Sequence, residues 1–195
     1  MKTFREFLLK ENFLDLHKKF TKHYKYTNDE AADLAFHAST TDAGEWSQAK
    51  NLSKNLTSAV KRNKTPQSFV AYRGTDSLNA KVGDEISHKE HFSSFSISPK
   101  VAHGHAKLKT NFPYYHRHEI HLSVPKGAHG AYLTGKWKHT VNGHTSQGDA
   151  GDMGEHEFLL HPKAKIRIDK ITHHLRGWKK IYHASLIHDG IKEHK

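Results

Sequence analysis

Two hydrophobic periodicities divide the chain near residue 66. Before that point, apolar residues recur at intervals of three and four, which is typical of amphipathic helices, so residues 3–65 are predicted to be mainly helical. After it, the interval shortens toward two, which is typical of strands with one buried face. Short segments of this second kind, separated by Gly, Pro, Asn and Asp, predict strands at 68–73, 92–97, 118–124, 131–133, 155–160, 164–170 and 180–186.

Local signals refine the helical part. Thr27 is followed three residues later by Glu30, the spacing of a capping box, so a helix is predicted to begin there. A further helix is predicted over 45–62, ending before Pro66. Because helices come first and strands afterwards, the pattern favours an α+β fold over alternating βαβ units.

One long segment fits neither periodicity. Residues 134–154 contain five glycines and almost no apolar side chains, so they are predicted to form a loop. A loop of that length inside a compact domain is usually functional.

Composition bounds the class of protein. The 195 residues are expected to form one domain, with a mainly helical part at 1–66 and a mainly β part at 67–195. The chain has no cysteine, so thiolate sites are excluded. A net charge of +11 fits either a solvated basic surface or a polyanionic partner such as nucleic acid, and the charge alone does not separate the two. No signal peptide and no apolar run of about 20 residues is visible, so a cytoplasmic protein without membrane contact is expected.

Three motifs follow one another along the chain: "AYRG" at 71–74, "HFSSFSISP" at 91–99 and "GEHEFLL" at 154–160. In this order, with their flanking segments, they resemble the mono-ADP-ribosyltransferases of the arginine–serine–glutamate class. That class includes the enzymatic components of binary actin-modifying toxins and small bacteriophage transferases. The resemblance covers most of residues 27–187. It implies N-terminal helices packed on two roughly perpendicular sheets that form an NAD cleft, with NAD as substrate and no metal.

The first motif supplies a cation at the end of an apolar strand. Arg73 has a planar guanidinium that suits the pyrophosphate of NAD, because it can bind two oxygens at once. Gly74 has no Cβ and lets a flat ring approach the backbone. The resemblance implies that nicotinamide is bound there, with Tyr72 as a further predicted NAD contact.

The second motif alternates as a strand, with Ser94 and Ser96 on one face and Phe95 on the other. The resemblance implies that Ser94 positions the catalytic glutamate and that Ser96 is the third residue of a Ser-Thr-Ser triplet. Phe95 replaces the usual middle threonine. Ser94, Ser96, Phe92 and Phe95 are all predicted NAD contacts.

The third motif places two carboxylates, Glu155 and Glu157, two residues apart. In a strand, this spacing sends both to one side, about 6.5–7 Å apart. The resemblance implies that Glu157 binds the ribose and stabilises the positive charge that develops there, while Glu155 orients the nucleophile. A glutamate at the position of Glu155 implies arginine as the acceptor, whereas glutamine there implies asparagine or other acceptors.

Other segments have less defined roles. Residues 107–119 match a loop that covers the dinucleotide in relatives, with Phe112, Tyr114 and Arg117 as candidate contacts. Met153 is the one sizeable apolar side chain in the position of the target-recognition turn. His116, His118 and His121 have metal-ligand character, but further ligands at fixed spacing are missing from the sequence, so no metal is predicted.

The predicted function is transfer of ADP-ribose from NAD to an arginine of a target protein. An NAD glycohydrolase and a basic nucleic-acid-binding module without catalysis are the alternatives. The expected partner is a protein with an accessible arginine, acidic or associated with nucleic acid, such as transcription or translation machinery. The chain is expected to act as a monomeric effector inside a host bacterial cell.

Overall fold

The computed structural model describes residues 13–39, 52–75, 78–87, 92–108, 117–133, 136–141, 144–149, 156–174 and 179–191. The helices in these ranges are α1 Phe13–His23, α2 Asn28–Ser39, α3 Leu52–Arg62 and α4 Pro99–Leu108. The strands are β1 Phe69–Thr75, β2 Glu85–Ile86, β3 Ser93–Ser96, β4 Arg117–Val124, β5 Ala131–Tyr132, β6 Lys136–Val141, β7 His144–Asp149, β8 Glu157–Leu160, β9 Lys165–His174 and β10 Lys179–His188. In these ranges, no helix has the length and apolar character needed to cross a membrane.

Eight strands form one mixed sheet in the order β2-β9-β10-β4-β1-β3-β8-β5. Neighbouring strands are antiparallel except β4 and β10, which run parallel. The sheet has two halves, β2-β9-β10-β4-β1 and β3-β8-β5, which meet at one register pair, Tyr72 opposite Ser96. The resemblance implied two sheets, and the structure joins their strands into one sheet through this single pair.

The helices cover apolar residues of both halves. Leu16 and Phe20 of α1 are buried in the main core with Phe69, Phe95 and Phe158 of the strands. A second cluster joins α2 and α3 to β5 and β8, and its buried members are Leu34, Leu56, Ala59, Val60, Phe92, Ala131, Leu133 and Leu159. The fold class α+β is therefore confirmed.

The capping box predicted at Thr27 is present. The backbone N–H of Thr27 donates to Glu30 Oε2 at 2.9 Å, and the N–H of Glu30 donates to Thr27 Oγ1 at 3.2 Å. Glu30 also accepts hydrogen bonds from Ser58 and Arg62 of α3. The buried Glu30 carboxylate therefore caps the start of α2 and also binds α3 to α2.

The predicted loop 134–154 was wrong where the structure describes it. Strands β6 and β7 form an antiparallel hairpin there, with Lys136 opposite Asp149 and Val141 opposite His144. The residues between these strands are Asn142-Gly143, a sequence that favours the tight turn of a hairpin. The low apolar content concealed this signal, because a polar hairpin lacks the hydrophobic alternation used to recognise strands. Helix α4 and strand β2 were also absent from the prediction.

Gly130 allows the ring of Phe158 to lie against the backbone. A Cβ at this position would be 2.7 Å from Phe158 Cε2 and 2.9 Å from Cε1. Gly130→Ala is expected to lower the free energy of unfolding by about 1–3 kcal/mol, because an overpacked core forces its neighbours to move. Urea denaturation would measure this free energy. The double variant Gly130→Ala/Phe158→Leu should lose less free energy of unfolding than the sum of the losses in the two single variants. Strict additivity would show that the clash is not with this ring.

The Tyr24 hydroxyl is a candidate for a stabilising substitution. Tyr24 is 1% exposed, and its hydroxyl has no hydrogen-bond partner in the described part of the chain. A buried hydroxyl without a partner loses its hydration with no compensation, so Tyr24→Phe should raise the free energy of unfolding by about 1 kcal/mol. Thermal unfolding with Tyr182→Phe as the control would check this, because the Tyr182 hydroxyl donates to Leu78 O. Destabilisation by Tyr24→Phe would contradict the assignment.

Candidate active site

Three adjacent strands bring residues of all three sequence motifs together. Tyr72 on β1 lies opposite Ser96 on β3, and Ser96 lies opposite Glu157 on β8. Residues directly opposite each other in antiparallel strands share a face of the sheet. Tyr72, Ser96 and Glu157 therefore form one row across the junction of the two halves. Ser94 lies opposite Leu159, one pair further along the same face.

Arg73 is close to both of the other motifs. Its Nη1 donates to the backbone oxygen of Ser94 at 3.4 Å, and this is its one hydrogen bond within the described residues. Burial lowers the pKa of Arg73, and the negative charge of Glu157 raises it. A guanidinium keeps its proton under these conditions. Among the described residues, the site therefore contains a cation whose remaining N–H donors are available to a ligand.

Glu157 is the first residue of β8 and is 4% exposed. Its backbone oxygen accepts a hydrogen bond from Leu133 N at 2.9 Å. A buried carboxylate is costly unless opposite charges or hydrogen bonds compensate it, and the nearby Arg73 cation supplies such a charge. The structure therefore confirms that Glu157, Ser96 and Arg73 lie together.

The backbone just before Glu157 is not a strand. His156 has φ of 49°, in the left-handed region that residues with a Cβ rarely adopt, and it lies outside β8. Its carbonyl accepts a hydrogen bond from Ile97 N at 3.0 Å. The predicted strand 155–160 was therefore wrong at His156, because strand alternation requires extended backbone between the two glutamates. Glu155 itself lies outside the described residues.

Two of the predicted NAD contacts have another role. Phe95 lies opposite Phe158, and both side chains belong to the main core. Phe92 belongs to the second cluster, with α2 and α3. In the structure both rings pack the interior: Phe95 lies on the face of β3 opposite to Ser94 and Ser96, and Phe92, just before β3, is clustered with residues of α2 and α3. Their contact with NAD stays a prediction.

The remaining predicted site residues are described only in part. Gly74 is buried in β1, opposite Glu119 on β4. Arg117 begins β4, but its side chain lies outside the described part of the structure. Phe112, Tyr114, His116 and Met153 lie outside the described residues.

The sequence prediction missed a charged network beside the first motif. The Glu119 carboxylate is within 2.8 Å of Lys179 Nζ, 2.9 Å of His103 Nδ1 and 3.2 Å of His121 Nε2. It joins α4, β4 and β10 next to Gly74. The signal was an isolated carboxylate inside "HRHEIH", in a segment dominated by histidines.

His118 and His121 have different partners. His118 accepts a hydrogen bond from Leu78 N at 2.8 Å, whereas the ring of His121 contacts Tyr72, with centroids 5.0 Å apart. Three residues apart on a strand, the two histidines face opposite sides. Among the described residues, no group of three or more His, Asp or Glu side chains is arranged to hold a metal ion.

The Glu119 network predicts a pH-dependent contribution to stability. Burial raises the pKa of Glu119, but hydrogen bonds from His121, Lys179 and His103 outweigh it and lower the pKa from 4.5 to about 2. Because the folded-state pKa is the lower one, the stabilisation is present above pH 4.5 and is lost as the pH falls toward 2.

Glu119→Gln should therefore be less stable than the unmodified protein at about pH 6, and this difference should shrink at about pH 2.5. Urea denaturation at both pH values would measure it. Glu85→Gln is the matched control, because the Glu85–Lys165 pair is 3.8 Å apart with both side chains 54% exposed. An exposed pair of this kind contributes about 0–1 kcal/mol. A Glu119→Gln difference independent of pH would contradict the role of the carboxylate charge.

Comparison with protein families gives a match over most of the chain. The model of the family described as ADP-ribosyltransferase exoenzyme matches residues 18–188. A search of curated proteins returned no match.

Several solved structures share the fold. An ADP-ribosyltransferase from Clostridium botulinum has 15% sequence identity and a TM-score of 0.64, covering 95% of this chain and 99% of its own. Vis toxin, an ADP-ribosyltransferase from Vibrio splendidus, has 19% identity and a TM-score of 0.59, covering 95% and 87%. A protein from S. aureus, solved with NAD, has 13% identity and a TM-score of 0.59, covering 96% and 97%.

Proposed function

The chain belongs to the ADP-ribosyltransferase exoenzyme family, and we propose that it transfers ADP-ribose from NAD to an arginine of a target protein. The observation that carries this proposal is the buried Glu157 carboxylate beside the Arg73 guanidinium, at the junction where all three motifs meet. The coarser activity, NAD-dependent mono-ADP-ribosylation, follows from the family. Arginine as the acceptor is the finer proposal.

The residues of the site fit NAD. A planar guanidinium with N–H donors available binds the oxygens of a phosphate in a fixed orientation. Arg73 makes one hydrogen bond within the described residues, at 3.4 Å, and that bond holds it at Ser94. In the proposed reaction Arg73 binds the pyrophosphate. The S. aureus structure solved with NAD supports the choice of dinucleotide.

Glu157 has the properties needed for the chemical step. NAD supplies the ADP-ribosyl group, and positive charge develops on its ribose as the bond to nicotinamide breaks. A carboxylate fixed in a buried site stabilises such a charge more strongly than one in water. In the proposed reaction Glu157 takes this role, with Ser96 opposite it on β3.

Glu155 is proposed to select the acceptor. An arginine guanidinium is cationic, with a pKa above 12, so a carboxylate binds and aligns it rather than removing its proton outright. The structure of Vis with agmatine, a small guanidine compound, supports a guanidine acceptor in this fold. The net charge of +11 favours an acidic or nucleic-acid-associated target, which a basic surface attracts at long range.

The test incubates the purified protein with NAD and either agmatine or a bacterial extract. Nicotinamide release and ADP-ribosylated agmatine or protein are followed by mass spectrometry. The unmodified protein should form both products. Glu157→Gln should reduce both by at least about 10²–10³-fold, because the charge that stabilises the transition state is removed.

Glu155→Gln should separate the two steps. It is expected to retain nicotinamide release and to lose the guanidine product, since it changes only the alignment of the acceptor. Glu85→Gln, which changes an exposed carboxylate on β2, is the control and should retain both products. Nicotinamide release without a modified guanidine would reject arginine and favour water as the acceptor. Absence of nicotinamide release would reject the proposed transferase.

A further inference from the structure

An aromatic and histidine cluster connects α1 to the residue next to Glu157. The Tyr132 hydroxyl lies 2.6 Å from His17 Nδ1 and 3.4 Å from His156 Nδ1. The two imidazole rings contact each other edge to face, with centroids 4.8 Å apart. A hydroxyl has one proton to donate and also accepts, so Tyr132 can donate to one ring and accept from the other.

Tyr132 is itself fixed on all sides. Its ring is fully buried and packs edge to face against Phe20 at 5.2 Å between centroids. The backbone N–H of Tyr132 donates to Tyr26 Oη at 2.9 Å, and the Tyr26 hydroxyl in turn donates to the Tyr132 carbonyl at 3.0 Å. Burial raises the pKa of Tyr132, so its hydroxyl stays protonated. It is therefore a rigid point to which the His156 ring is attached.

Contacts such as the one with Tyr132 are required at His156 because its backbone conformation is unfavourable. A φ of 49° costs free energy for a residue with a Cβ, and it persists only where surrounding contacts hold it. The carbonyl is held by Ile97 N, and the ring by Tyr132. Burial and the neighbouring His17 both lower the pKa of His156, so its ring is bound in the neutral form. The geometry at Glu157 follows directly from that of His156.

We propose that His17, Tyr132 and His156 are positioning residues that fix the backbone before Glu157 and so set the direction of its carboxylate. The proposal rests on the proposed function, in which Glu157 acts on NAD. It assigns to α1, through His17, a part in positioning Glu157. An error of about 1 Å in the position of a catalytic group can cost about 10²-fold in rate, so weakening this support should lower turnover.

Tyr132→Phe is the central test, because it removes one oxygen atom and keeps the ring. The kcat for nicotinamide release should fall about tenfold, while the KM for NAD changes less than about twofold, since Arg73 is untouched. Tyr24→Phe is the matched control: it removes a hydroxyl without a partner in the described residues, and its ring lies 6.1 Å from that of Tyr132. It should leave kcat unchanged.

A conservative substitution distinguishes positioning from packing. His17→Asn, whose amide takes the position of Nδ1 and can still bond the Tyr132 hydroxyl, should retain most of the turnover. His17→Leu, which has a similar size but no polar side-chain atom, should lower kcat by as much as Tyr132→Phe does. Equal loss in both His17 variants would overturn the proposal, since shape alone would then explain the effect.

Amide hydrogen exchange at Ile97 gives a readout that does not depend on activity. This N–H donates to His156 O, so it should exchange faster in Tyr132→Phe than in the unmodified protein and in Tyr24→Phe. The proposal would be overturned if Tyr132→Phe left the exchange rate at Ile97 unchanged. It would also be overturned if Tyr132→Phe changed the KM for NAD and left kcat unchanged. If the unmodified protein released no nicotinamide, the proposed function would fail, and exchange at Ile97 alone would decide whether His156 is held by Tyr132.

Discussion

The register of β3 against β1 and β8 controls both the core and the site. Phe95 lies opposite Phe158, and both rings are buried, while the next pair along is Ser96 opposite Glu157. A slip of one residue would turn every side chain of a strand to the other face. The hydrophobic packing of Phe95 and Phe158 therefore fixes the register that brings Ser96 opposite Glu157. Chemistry and stability depend on the same pairing, and neither can change without the other.

The buried charges at this junction depend on each other. A buried carboxylate or guanidinium is unfavourable alone, and removing one partner of such a pair leaves the other uncompensated. Burial lowers the pKa of Arg73 and the charge of Glu157 raises it, so the carboxylate stabilises the charged form of the guanidinium. In the proposed reaction, the cation of this pair binds phosphate and the anion stabilises the developing positive charge.

Local sequence signals predicted the elements whose partners are near in sequence. Thr27 and Glu30 predicted the start of α2, because both partners of the capping box lie within one helical turn. The alternation around Phe95 predicted β3. The family motifs indicated which residues meet, although Arg73 and Glu157 are 84 positions apart in the numbering and no periodicity relates them. Polar strands β6 and β7 were missed because their pairing is not driven by a hydrophobic face.

Other features depend on contacts that a linear pattern does not contain. The left-handed backbone of His156 follows from hydrogen bonds to Ile97, just after β3, and to Tyr132 on β5. The Glu119 network requires α4 to lie over β4, which only the folded chain reveals. Sequence reasoning therefore identified the residue types of the site better than their orientation. The burial of Phe95 and Phe92 in the two core clusters was not predicted for that reason, since motif position does not say which face is buried.

Helix α1 packs against the strands that carry the site residues, so its position affects the geometry of the site. Phe20 of α1 packs against Phe69 at 4.9 Å between ring centroids, and Phe69 packs against Phe158 at 5.0 Å. These rings connect α1 to the strand that contains Arg73 and to the strand that begins at Glu157. Protein interiors are close-packed, so a shift of α1 is transmitted along such a chain of rings rather than absorbed. The relative position of the Arg73 cation and the Glu157 carboxylate therefore depends on how α1 docks.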